Sequence, residues 1–323
     1  MTECSRPTCF VPDTGCDLGH SEVSSCPAWA GKSRTSSEGI QSPEEGLLPW
    51  SASALGLADL GFVAGRTRPI VVGIIGPQNA GKTTILAAWY LLMGRGATAR
   101  NERRFAGSYS LAGWEAVAGS LRWHPGQSPT FPPHTSSRGG RAPGLLHLTF
   151  RENSDERLRD FLFTDAPGEW FQKWAVNRDS PDASGARWVS DRADVLALVA
   201  DREALAGENM GTARNAIQLL ARRLAAERGN RPTALIWSKS DIKISSEIES
   251  AVRNAVKDPM PDAVEFSVSI IPSNGSSKDS GDGLLALLNW ILGIRRESAV
   301  IPPLDGTSMD PLFLYGARGD RAQ

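Results

Sequence analysis

From residue 69 onward, apolar runs of strand length alternate with longer amphipathic stretches, the pattern of a sheet connected by crossover helices. Apolar runs predict strands at 70–75, 145–150, 161–164, 195–199, 234–237 and 264–271. Helical periodicity predicts helices at 82–93, 111–121, 188–192, 212–228, 247–257 and 283–292. The runs GLLHLTF and RDFLFTD are separated only by RENSDERL, too short for a crossover helix, so they are expected to pair as an antiparallel hairpin. Upstream, 47–65 is apolar enough to form a short helix packed under the sheet domain.

Composition narrows the class. The chain of 323 residues is 41% hydrophobic and 22% charged, which suits a packed core with a solvated surface and excludes a disordered or fibrous protein. With 35 basic and 36 acidic side chains the formal charge is -1, and no strong field favours nucleic acid or an anionic membrane. No apolar run approaches the ~18 residues a membrane helix needs, and the N-terminus lacks the basic start and apolar core of a signal peptide, so a cytoplasmic location is expected. The expected organisation is a Cys/His module at 1–30, a polar linker at 31–45, the α/β domain at 46–296 and an irregular Pro- and Gly-rich tail at 297–323.

The strand RPIVVGII runs into GPQNAGKTT and then into the helical ILAAWYLLM. This is Gly-x4-Gly-Lys-Thr in the strand, loop and helix context that a phosphate loop requires. Gly76 and Gly81 let the backbone of Pro77, Gln78, Asn79 and Ala80 wrap closely, so that main-chain N–H groups and the helix N-terminus hold phosphate oxygens. Lys82 supplies the charge between the β- and γ-phosphates, the Thr83 hydroxyl is placed for Mg²⁺, and Thr84 completes the helix start.

Later residues address which nucleotide is bound. After the hairpin comes TDAPGEW, in which Asp165 at a strand end can hold Mg²⁺ and Gly168 can offer its N–H to the γ-phosphate. The strand TALIW ends in SKSD, where Asp241 can accept two hydrogen bonds from the N1 and N2 edge of guanine and the Lys239 stem can lie against the base. Adenine offers no such donor pair. The run EFSVSII leads into PSNG, whose Ser273 and Asn274 are positioned to contact the guanine oxygen. An ATPase with an accidental SKSD is the competing reading.

The ordered set GPQNAGKT, DAPG, SKSD and PSNG, with an antiparallel strand before DAPG, resembles the translation-factor-like (TRAFAC) class of P-loop GTPases. FAGSYSLAGWE, FPPHTS and DAPGEWF further resemble the bacterial double-GTPase group associated with conflict and defence systems. The resemblance, over roughly residues 45–295, implies a mostly parallel mixed sheet with one antiparallel hairpin strand, and a GTP- and Mg²⁺-dependent switch that hydrolyses GTP. A second GTPase encoded nearby is the implied partner. Two positions depart from the pattern. Ser238 stands where the guanine motif has Asn, so its tie to the phosphate loop is shortened or lost, and Glu169 stands where many fast GTPases have Gln. Its carboxylate can position water or act as a base, but its charge is repelled by the γ-phosphate; slow hydrolysis, or a non-catalytic scaffold, follows. A first-switch threonine ordered by Mg²⁺ is expected before the hairpin, with Thr135 preferred to Thr130 and with Arg138 and Arg141 nearby.

Cys4, Cys9, Cys16 and Cys26, with His20 among them, suggest a structural Zn²⁺ held by four of the five groups; free thiols and two disulfides are the alternatives. Other proteins are the expected partners, through this module and through the switch regions. Trp170, Phe171 and Trp174 follow DAPGE and fit either an exposed partner surface or a helix packing into the core. His124, His134 and His147 have no ligand spacing and are expected to be structural.

Overall fold

The computed structural model describes residues 54–65, 67–97, 103–122, 130–132, 143–154, 156–271 and 281–296. The Cys/His module, the linker, Thr135, Arg138, Arg141, His124, His134, Ser273, Asn274 and the C-terminal tail lie outside them.

Among the described residues seven strands form one sheet: β1 (Ile70–Ile75), β2 (Arg103–Gly107), β3 (Gly144–Glu152), β4 (Leu158–Asp165), β5 (Val195–Asp201), β6 (Thr233–Ser238) and β7 (Val264–Ser267), in the order β2-β3-β4-β1-β5-β6-β7. β1, β4, β5, β6 and β7 are mutually parallel, and β3 runs against both β2 and β4. The hairpin is in the expected place, with Gly144 opposite Asp165 and Arg151 opposite Leu158. The edge strand β2 has no apolar alternation: its sequence is RRFAG and none of its side chains is fully buried. It forms because β3 supplies a ladder and because Arg103 pairs with Glu152 at 3.0 Å.

The helices are α1 (Leu60–Ala64), α2 (Lys82–Gly94), α3 (Leu111–Gly119), α4 (Gly168–Val176), α5 (Ser184–Arg192), α6 (Arg202–Ala206), α7 (Met210–Glu227), α8 (Ser246–Lys257) and α9 (Asp282–Gly293). Both sheet faces are covered, and the strands divide their side chains accordingly. Val71, Ile75, Leu196, Leu198, Leu235 and Trp237 pack with α4, α5, α7 and α8, whereas Val72, Ile74, Val195, Val199 and Ile236 pack with α2, α3 and α9. In the apolar segment at 47–65, α1 buries Val63 completely, and Leu55 adds a single bridge to Leu145.

Two expected elements are corrected. The 264–271 run is strand only as far as Ser267, because the following residues bend toward the end of β6: Val268 N–H donates to Trp237 O and Val268 O accepts from Ser240 N–H. Helix α5 starts at Ser184, four residues before the 188–192 periodicity. His147 is structural, as expected. Its Nδ1 accepts from Tyr109 N–H at 2.9 Å, which leaves Nε2 to donate to Asp160 at 3.1 Å, and the Thr149 hydroxyl donates to the same carboxylate oxygen at 2.6 Å. Among the described residues no helix is long and apolar enough to cross a membrane.

Candidate functional site

Parallel strands end on one side of the sheet, and there the phosphate loop, Gly168 and the SKSD segment meet around a cavity of about 440 Å³. Gln78, Asn79, Ala80, Gly81, Lys82, Thr83 and Thr84 line one side of it, with Gly168, Lys239 and Asp241 contributing elsewhere on the wall.

The loop after β1 has the conformation its residues permit. Asn79 and Gly81 take φ of 59° and 85°, in the left-handed region, and Gly81 caps α2. At Gly76 a Cβ would lie 3.0 Å from Val199 O, so the loop seats closely on β5. Lys82 is 6% exposed, and its Nζ donates to Gly76 O at 3.1 Å and Pro77 O at 2.8 Å. Burial pulls its pKa down to about 8, against the opposing influence of the Asp165 and Glu169 carboxylates. The centroid of the buried Phe171 ring lies 6.0 Å from Nζ.

β4 brings Asp165 to this loop. The Thr164 hydroxyl accepts from Ile74 N–H and donates to Val72 O, both at 3.1 Å, fixing β4 beside β1 at its last residues. Asp165 Oδ2 then accepts from the Thr83 hydroxyl at 2.7 Å. A hydroxyl and a carboxylate in contact at the foot of a phosphate loop are hard oxygen donors of the kind Mg²⁺ takes, so these two residues fit that ion. Among the described residues there is no group of three or more His, Cys, Asp and Glu side chains suited to a metal.

Gly168 opens α4 directly against the phosphate loop. A Cβ on it would lie 2.1 Å from Gln78 N and 2.4 Å from the Pro77 carbonyl carbon, so the position admits only glycine as packed. The rings that follow turn inward: Phe171 and Trp174 are fully buried and Trp170 nearly so, in the core under the sheet. The alternative of an exposed aromatic partner surface is therefore overturned.

At the base end, Asp241 Oδ1 accepts from the Ser269 hydroxyl at 2.5 Å, and Ser269 Oγ in turn accepts from Ile271 N–H at 3.0 Å. Val268, Ser269, Ile270 and Ile271 all face the cavity. Sequence reading expected base contacts at Ser273 and Asn274, which lie outside the described residues, and did not single out Ser269; the strand's early end was the undetected signal. Ser238 is nearly buried beside Gly81, but its hydroxyl donates to Ala200 O at 3.3 Å. Lys239 Nζ reaches Asp201 at 2.8 Å and Glu203 at 2.6 Å. Burial lowers the lysine pKa, but the hydrogen bonds to these two carboxylates outweigh it and hold the pKa above its ordinary value. Phe131 and Pro132 also line the cavity, whereas the neighbouring Thr130 turns its hydroxyl to Ser120 O. No sequence signal pointed to Phe131, Asp201 or Glu203.

No curated protein matches the chain. Among solved structures it is similar to Era, in a crystal structure with MgGDPNP and nucleotides 1506–1542 of 16S ribosomal RNA, at 18% identity and a TM-score of 0.36. That match covers 75% of this chain and 62% of the Era chain. The family described as Double-GTPase 2 matches residues 70–291, from the first strand into the last described helix, and the chain belongs to that family.

Proposed function

We propose that the protein is a Mg²⁺-dependent, cytoplasmic switch that binds and hydrolyses GTP. The observation that carries this reading is that one cavity brings Lys82 and Thr83 of the phosphate loop together with Asp241 at the opposite end. The loop amides and Lys82 hold the β- and γ-phosphates, and the Asp241 carboxylate accepts from the guanine N1 and N2 edge. Thr83 and Asp165 would hold Mg²⁺, which neutralises charge on the phosphates when bound. Gly168 N–H senses the γ-phosphate, and Glu169 orients the water that attacks it. The new bond joins the water oxygen to the γ-phosphorus as the bond to the bridging β–γ oxygen breaks; GDP leaves with that electron pair and the water proton passes to the products.

Glu169 favours a second reading, a nucleotide-binding scaffold with little turnover, because a carboxylate beside the γ-phosphate repels it. Phosphate release in a single turnover separates the two readings, since a scaffold releases none with or without a partner. Titration calorimetry with GTP and ATP in the presence of magnesium tests the guanine assignment. Tighter binding of ATP would replace it with an ATPase.

The same proposal extends to the regions around the domain. We infer that four of Cys4, Cys9, Cys16, His20 and Cys26 hold a structural Zn²⁺, on their spacing and residue type; metal analysis of the purified protein checks this. A first-switch Thr135, base-loop contacts from Ser273 and Asn274, protein partners that include a second GTPase, and a role in conflict or defence complete the reading. Its support is the motif set and the family membership.

A further inference from the structure

Ser238 lies beside Gly81 with only a short hydroxyl side chain, where the guanine motif that this segment resembles has Asn. Ser238 donates to Ala200 O on β5, and the next residue, Lys239, reaches two carboxylates at the end of the same strand, Asp201 and Glu203. Lys239 takes φ of 52°, unusual for a residue with a side chain, and a conformation of that kind persists only where its surroundings hold it. Asp201 is suited to holding it. It is nearly buried, and its other oxygen accepts from Glu203 N–H at 2.9 Å as the cap of α6, which leaves the carboxylate little freedom. Glu203 lines the cavity together with Lys239 and Asp241.

We propose that Asp201 and Glu203 are positioning residues for nucleotide binding: they fix the Lys239 ammonium at the end of β5, so that the lysine stem lies along the base end of the cavity. The proposal rests on the reading of this cavity as a guanine-nucleotide site. On this proposal both carboxylates act through Lys239. Glu203 is 65% exposed at its side chain, and an exposed ion pair contributes little to stability, so its effect belongs in ligand affinity rather than in melting temperature.

The experiment is a double-mutant cycle by calorimetry on the full chain, with GDP and magnesium. Glu203→Gln is expected to weaken GDP binding about fivefold, to leave the melting temperature and the preference for guanine over adenine unchanged, and to have no effect in a Lys239→Met background. GTP should lose the same factor, because the defect lies at the base end. The proposal is overturned if Glu203→Gln binds GDP as the parent does, or if it weakens binding equally in both backgrounds. A parent protein that binds neither GDP nor GTP removes the reading of the cavity and this proposal with it, whereas a parent that binds both while Glu203→Gln changes nothing removes this proposal alone.

Discussion

Under the proposed assignment of Lys82 to the phosphates, nucleotide binding should weaken as pH rises through about 8, because that lysine is already desolvated before they arrive. Lys82 is almost wholly buried, and its pKa of about 8 stands against an ordinary value of 10.5. In the free protein about nine-tenths of the ammonium is charged at pH 7 and about one-tenth at pH 9. A bound triphosphate favours the charged form and raises the pKa, so binding takes up a proton, with uptake growing from about 0.1 at pH 7 to about 0.9 at pH 9. Affinity should fall by about tenfold over that interval.

The assay is titration calorimetry in buffers of different ionisation enthalpy, with Lys82→Met as the baseline for titration of the nucleotide itself. Flat affinity from pH 7 to 9, or proton uptake equal in parent and variant, would refute the assignment of Lys82 to the phosphates. The same shift has a consequence without ligand. Because the folded pKa lies below the unfolded one, the unfolded chain binds more protons between them. Burying Lys82 therefore costs about 3 kcal/mol below pH 8, and that cost is relieved as pH rises toward 10.5. Lys82→Met should accordingly abolish this rise in stability between pH 8 and 10.5 in the nucleotide-free protein while impairing binding.

Three further outcomes test the site. Gly168→Ala places a methyl group 2.1 Å from Gln78 N, so α4 must shift off the phosphate loop; phosphate release should fall at least tenfold, and parent-like turnover would show that the contact is dispensable. Ser269→Ala removes a hydrogen bond to the Asp241 carboxylate, of a kind worth about 1.5–3 kcal/mol, and should weaken GDP binding roughly tenfold with no comparable loss for inorganic phosphate in a competition assay. Asp241→Asn should move preference from guanine toward xanthine nucleotides, and retained selectivity for GTP would take Asp241 out of the base site.

The central strands were legible because a strand covered on both faces has no polar side to show: β1, β5 and β6 are buried at every position and appear in the sequence as runs without polar side chains except at the ends of β5 and β6. The phosphate loop was legible because its chemistry is local, confined to Gly76 through Thr84. β2 was not, since its two arginines and its exposed Phe105 answer to a neighbour rather than to a core. The rings of α4 were ambiguous for a different reason. Trp170, Phe171 and Trp174 share one side of a helix whether that side meets solvent or the sheet, and only the seating of Gly168 on the phosphate loop decides which way they turn.

The base end shows why the remaining residues stayed hidden. Ser269 lies 28 positions from Asp241, and Asp201 lies 38 positions from Lys239, separations at which no spacing rule operates. What unites them is sheet order. β5, β6 and β7 are consecutive parallel neighbours, so their C-terminal ends lie side by side, and a residue at the end of one strand faces the residue at the end of the next. The base loop after β6 is therefore held from both flanks, by Asp201 and Glu203 after β5 and by Ser269 after β7. On the proposed reading, serine at 238 is then expected to suffice: with Lys239 and Asp241 each held from a neighbouring strand, the loop needs no side chain reaching across to the phosphate loop.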